Sequence, residues 1–271
     1  MLGVAELKGN SEEGAGKLID DASYKFLEDW QCSDCIQTMV FDTTCSNTGH
    51  LSAGCIAVQE KLNRPLLWCA CRHHIGELLL SHLWNDLKVE ISSGPNICIF
   101  TRFRVNFKKL SINDISNFNY APQSPENADI INLCKNVQKS QDKMRGDYRE
   151  LAQLVIMFLD GGNTIYNIQA PGALHRARWM AKIIYSIKII ILSSKIKEEL
   201  PKWAIFLRNQ EVKLTRFVTF IVCTYVPWWY TAIFPEDAPT NDLNLWKKYM
   251  HIQIKLCHNH YKNLSLITHG I

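Results

Sequence analysis

Apolar residues along the first third of the chain alternate between helical spacing and short unbroken runs. Leu18, Ile19, Ala22, Phe26 and Trp30 recur every three to four positions, the period of a helix that buries one face. Ser11, followed by Glu12, Glu13 and Gly14, supplies an acidic start, so a first helix is expected from about Ser11 to Trp30. Ile36-Gln37-Thr38-Met39-Val40-Phe41 then reads as a short strand, stopped by Asp42-Thr43-Thr44 and the turn-forming cluster Ser46-Asn47-Thr48-Gly49. A second helix is expected over Ala53–Leu62, closed by Asn63-Arg64-Pro65, and a second buried strand over Leu66–Ala70. Cys71-Arg72-His73-His74 opens a third helix, with Ile75, Leu78, Leu79 and Leu83 on one face. Helix, strand, helix, strand, helix is an α/β order. Two strands joined by a crossover helix pair most readily in parallel.

The pattern changes after about Val89. Ser92-Ser93-Gly94-Pro95 is a break, and Ser111 to Asp129 is polar with two prolines. A domain boundary is expected there, dividing the chain into 1–90, an α/β part, and 91–271, a mainly helical part. Tyr148, Leu151, Val155 and Phe158 fit one helix, and Ala173 to Leu192 another. A helical wheel of the latter puts Ile183, Ile184, Ile187, Ile190 and Ile191 on one side and Arg178, Lys182 and Lys188 on the other. Phe217 to Phe234 carries no charge and contains Trp228, Trp229 and Tyr230, barely enough for a bilayer span. Pro227 interrupts it and Thr219, Thr224 and Thr231 add polar groups, so it is expected to pack inside the helical domain, bent near Pro227.

Composition adds little and charge distribution adds more. The net charge of +4 over 271 residues is too small to point to nucleic acid alone. Met1 to Asp42 holds three lysines against nine acids, whereas Pro171 to Arg216 holds ten Lys/Arg against three Glu. The basic stretch suits a polyanion. The ten cysteines are not read as a disulfide framework: Met1 leads into no basic, then apolar, leader, and Cys69 and Cys71 are poorly spaced for bridging each other. A reduced, intracellular protein of the nucleus or cytoplasm with no membrane partner is expected.

Asp42 is the leading candidate for chemistry. A carboxylate directly after a buried strand can hold a divalent ion with hard oxygens, and two-metal phosphoryl transfer relies on several such groups. The alternative is a turn aspartate bonded to its own loop. Cys32-x-x-Cys35 and Cys71-x-x-His74 can be drawn together as a zinc site, although 35 residues and an α/β unit separate the pairs. Otherwise Cys71 is a small core residue and His74 a hydrogen-bonding residue at a helix start. His258 and His260, two apart, face opposite sides of a helix, and Glu77 and Glu90 read as surface acids. Arg176, Arg178 and Lys182 are candidates for phosphate contacts or a solvated helix face. No P-loop, G-x-G-x-x-G or G-x-S-x-G occurs, so nucleotide-binding and serine-hydrolase readings lack support.

Phe41-Asp42-Thr43-Thr44-Cys45-Ser46-Asn47-Thr48-Gly49, followed by Leu67-Trp68-Cys69-Ala70-Cys71-Arg72-His73-His74-Ile75, resembles the middle of an hAT-like DDE transposase of the RNase H-like superfamily. The resemblance makes Asp42 the second metal-binding acid. It makes Cys71 and His74 the Cys-x-x-His pair that surrounds the active site without binding zinc. Ala170 to Met180 and Pro239 to Leu243 are similar to segments of transposon-derived animal proteins with the same two motifs. The implied fold is a partial RNase H-like core, a parallel strand pair with flanking helices, followed by a mainly helical insertion domain. The sequence departs from the family pattern at both ends. No strand ending in a first acid precedes the first helix, and no third acid is recognisable on a late helix; Glu236, Asp237 and Asp242 match no motif.

The expectation is therefore a transposon-derived fragment truncated at both ends, without independent catalysis, retaining weak nucleic-acid or protein binding. It would need no cofactor in isolation, and Mg2+ or Mn2+ if a complete site exists, with Asp42 a weak magnesium ligand. Expected partners are DNA and a homologous or complementing subunit. The alternatives are a metal-dependent transposase or nuclease completed in trans, and a zinc-containing interaction module.

Overall fold

The computed structural model describes residues 15–48, 54–89, 97–112, 115, 124–139, 145–172, 179–232 and 235–251. The chain divides into two compact bodies, Met1–Leu78 and Leu79–Ile271. The expected break at Ser92 to Pro95 lies outside the described residues.

The first body is α/β. Helix α1 (Ala15–Asp29) leads to strand β1 (Thr38–Phe41), a single turn α2 (Cys45–Thr48), helix α3 (Gly54–Leu62), strand β2 (Leu67–Ala70) and helix α4, which begins at Arg72 and continues to Asp86. The strands pair in parallel, as the crossover order predicts, with Thr38 opposite Leu67 and Phe41 opposite Ala70. Leu27, Val58 and Leu66 form a small core, with Cys32, Ile36, Met39 and Leu62 packed against it. Helices α1 and α3 pack closely because position 54 has no side chain: a Cβ there would meet Ile19 Cγ2 at 3.0 Å and the Gly16 carbonyl at 3.2 Å. Lys61 on α3 bridges Asp20 at 2.8 Å and Asp21 at 2.6 Å on α1.

Local chemistry ends these helices where the sequence marks them. After α3, Asn63 takes a left-handed conformation with φ 51°, which asparagine tolerates. Its N–H donates to the Glu60 carbonyl and the next, from Arg64, to Gln59. Gln31 closes α1 the same way, with φ 50°. The Gln59 side chain then fixes β2, its Oε1 accepting from Leu66 N at 2.8 Å and Trp68 Nε1 at 3.0 Å.

The described elements of the second body are all helical. They comprise the end of α4, then α5 (Cys98–Asn106) with a 3-10 turn (Phe107–Lys109), α6 (Glu126–Lys139), α7 (Gly146–Leu159), α8 (Trp179–Ile191), α9 (Ser193–Glu199), α10 (Pro201–Phe220) and α11 (Val226–Thr231), followed by a helix over 238–251, here α12. Its core is large and aromatic: Trp84 lies between Phe100 at 5.4 Å and Phe217 at 5.0 Å, and Phe103 meets Trp203 at 6.0 Å.

Helix α8 corrects one expectation. Every residue from Ile183 to Ile191 is buried, Lys188 included at 1% exposure. The helix has no solvated face there because α5, α7 and α10 all pack on it. Lys188 Nζ instead pairs with Glu150 of α7 at 2.5 Å and donates to the Gln169 carbonyl at 2.7 Å. Burial draws its pKa below the ordinary lysine value, opposed by the Glu150 charge. The buried Ser186 hydroxyl donates to the Lys182 carbonyl, four residues back, at 2.8 Å.

The uncharged stretch beginning at Phe217 packs into this core, as expected: Phe217, Val218, Phe220, Ile221, Val222, Tyr225 and Val226 are all buried. Its last two residues, 233–234, lie outside the described residues. Ahead of Pro227 the helix opens into a π turn, Ile221–Tyr225, and Val226 N–H bonds the Ile221 carbonyl five residues back. Proline lacks the N–H to continue an α ladder, and its ring collides with the carbonyl four residues earlier; a π turn is one way to absorb that. Among the described residues no helix is long and apolar enough to cross a membrane.

Candidate functional site at the carboxyl edge of the strand pair

Parallel pairing brings the carboxyl ends of β1 and β2 to one edge, where open α/β sheets place ligands. Cys71 N–H donates to the Phe41 carbonyl at 2.8 Å, carrying the ladder one step past the strands. Asp42 and Cys71 therefore leave the sheet as neighbours, and His74 follows in the first turn of α4. Beneath them Phe41 and Trp68 meet edge to face at 5.6 Å.

Asp42 organises its own loop. Its Oδ1 accepts from the Thr44 hydroxyl at 2.7 Å, the Thr44 N–H at 3.2 Å and Asn47 Nδ2 at 2.7 Å. Asn47 Nδ2 also reaches the Asp42 carbonyl at 3.2 Å. This is the turn-aspartate arrangement, and it suspends α2 from the end of β1. The Thr44 hydroxyl, the Thr44 N–H, Asn47 and the nearby His74 charge together hold the Asp42 carboxyl below its ordinary value, with desolvation opposing them.

A depressed folded-state pKa means the carboxylate's contribution is complete above the unfolded value of about 3.9 and is lost as pH falls through the lower folded value. The side chain is exposed, so this contribution is small. The expected result is a carbon-detected NMR titration in which Asp42 ionises below ordinary aspartates and Thr44→Val moves its midpoint upward. A midpoint unmoved by Thr44→Val would show that the hydroxyl bond does not form in solution.

Of the two Asp42 carboxylate oxygens, Oδ1 is engaged three times within the loop. Among the described residues no group of three His, Cys, Asp or Glu converges as a metal site. Magnesium sheds water reluctantly and is held weakly by a lone carboxylate. Of the residues of the drawn zinc site, Cys32 turns its Sγ back toward the Leu27 carbonyl at 3.8 Å, Cys35 is exposed, and both are free thiols like Cys71.

Comparison with family profiles, characterised proteins and solved structures finds no match. The site therefore rests on its own geometry.

The other candidate residues fare differently. Arg176 and Arg178 lie outside the described residues, as do Glu90, His258 and His260. Lys182 is half-buried, with Nζ 4.3 Å above the Trp179 ring, a cation–π arrangement. Asp242 accepts from Trp228 Nε1 at 2.7 Å and so ties α12 to α11. Sequence reasoning singled out Asp42 but missed Thr44 and Asn47 as its partners. Their positions two and five residues after an aspartate in a loop were the available signal.

Proposed function

We propose that this chain is a transposon-derived, hAT-like protein whose RNase H-like site is a remnant. It retains nucleic-acid or protein binding and does not cut or join DNA by itself. The observation that carries this reading is the carboxyl edge of the strand pair. Asp42 follows β1, and Cys71 and His74 follow β2, in the order the resemblance implies, while Oδ1 of Asp42 is spent on Thr44 and Asn47. Two divalent ions roughly 3.5–4 Å apart need several converging carboxylates, and a protein that only positions duplex supplies little rate enhancement.

The test is purified full chain on labelled duplex with Mg2+ or Mn2+, beside Asp42→Ala. The expected result is no strand cleavage or transfer by either protein, together with salt-sensitive duplex binding by both. Cleavage that needs both the metal and Asp42 would replace this reading with an enzyme completed by a second subunit.

A further inference from the structure

The basic stretch from Pro171 to Arg216 is less available than its charge suggests. Lys188 is buried on Glu150, Lys195 pairs with Glu198 at 3.6 Å, and Lys197 with Glu211 at 2.6 Å. The cations of α10 are Lys202, Arg208, Lys213 and Arg216, and its one acid, Glu211, is the partner of Lys197. Helix α5 and the 3-10 turn after it contribute Arg102, Arg104, Lys108 and Lys109, with no acid at all.

These two groups, far apart in sequence, meet in the fold. The Arg102 guanidinium lies 4.4 Å above the Phe206 ring of α10, and Phe103 packs against Trp203. Just after the 3-10 turn, Ser111 N–H bonds Glu199 at 2.8 Å, at the threshold of α10. Lys213 Nζ donates to the Lys88 carbonyl at 3.0 Å, which brings Lys88 to the same side of α10. Arg102, Lys108, Lys109, Lys202, Arg216 and Lys88 are all exposed. From Lys202 to Arg216 the ridge runs about 20 Å at ~1.5 Å per residue, more than half a duplex turn of about 34 Å.

We infer that the joined α5–α10 face binds the phosphate backbone of a nucleic-acid duplex without reading its sequence. This rests on the proposed nucleic-acid binding and names the surface and the form of the ligand. Duplex is favoured over single strands because the described residues of this face offer no ring for stacking. Phe100, Phe103, Phe107, Trp203, Phe217 and Phe220 all face the core, and Phe206 is capped by Arg102; single-strand sites use open aromatic platforms. The same burial argues against a lipid surface, where aromatic and leucine side chains insert. The exposed apolar residues here are Val105, Ile205 and Val212, short and dispersed among the cations.

The experiment is fluorescence anisotropy of the full chain with a labelled duplex, with single strands of the same length, and with vesicles of mixed anionic and neutral lipid. Two variants are compared: Lys108→Glu with Lys202→Glu and Arg216→Glu, and Lys182→Glu alone. Circular dichroism confirms that each is folded; should the triple reversal disturb folding, the triple glutamine variant replaces it. The expected result is duplex binding tighter than single-strand or vesicle binding. The triple variant should bind duplex roughly tenfold or more weakly, with a salt slope lower by about 0.9 for each phosphate it no longer neutralises. Lys182→Glu should change binding little. Duplex binding unchanged in the triple variant, or abolished in Lys182→Glu instead, overturns this surface while leaving the proposed function standing. Preference for vesicles or single strands overturns the ligand assignment, and absence of any nucleic-acid binding overturns the surface and its ligand together and leaves protein binding as the function of the chain.

Discussion

Replacing Lys188 with alanine is expected to destabilise the helical body by about 3–5 kcal/mol. The ammonium is 2% exposed at its side chain and Glu150 12%, so neither charge has ready access to water. Removing one partner strands the other as an uncompensated buried charge, and the Gln169 carbonyl loses its donor. Replacing both partners by apolar groups of similar size removes that penalty, because desolvation of two ions offsets most of what their attraction gains. Lys188→Met combined with Glu150→Leu should therefore recover most of the loss, short of about 1 kcal/mol for the unmet carbonyl. Urea unfolding followed by helical circular dichroism measures all three proteins. A single variant as stable as the parent would show that Lys188 is not paired inside α7 and α8.

Trp84→Ala is expected to cost a similar amount, about 3–5 kcal/mol, for a different reason. Trp84 is fully buried and is held between Phe100 and Phe217. Truncation leaves a void ringed by residues of α5 and α10, helices anchored elsewhere by Phe103, Trp203 and Leu214 and so unable to collapse fully into it. Trp84→Phe, which fills most of the space, should cost well under half as much. The same urea experiment checks this; equal losses for alanine and phenylalanine would mean that the indole matters for more than volume.

These two residues mark where the sequence could be read and where it could not. Strands β1 and β2, their parallel pairing and the helices around them follow from local periodicity and local stops such as Asn63, because each signal lies within a few residues of what it controls; the burial expected of the strands does not follow, since Val40, Leu67 and Trp68 are exposed in a sheet of two strands. The Asp42 loop is equally local, its partners only two and five positions away. Lys188 is different. Its charge makes it pass for a solvated side chain, although it stands four residues from Ile184 and three from Ile191, on their side of the helix. Its burial is decided by Glu150, 38 positions earlier, and by three helices that enclose α8. The basic face is hidden for the same reason. Its α10 half lies in the charged stretch that composition reveals, but its α5 half, about a hundred positions earlier, joins it through contacts such as Arg102 on Phe206 and Phe103 against Trp203. The RNase H-like core expected from the motifs stays a proposal, since two paired strands are common to many folds.

The π turn at Ile221–Tyr225 also bears on how this chain lines up with any relative. A π turn is what a helix becomes when it carries one residue more than an α turn holds. Phe217, Val218 and Ile221 lie before or at its start, and Trp228 and Tyr230 beyond it, yet both groups are buried. The extra residue shifts the angular phase between them by about a quarter of a turn, from 3.6 residues per turn. In alignment terms this is an insertion point. A homologous chain one residue shorter there, and lacking the proline at 227, would describe the same helix with the gap placed inside its most apolar segment, where alignments usually forbid one.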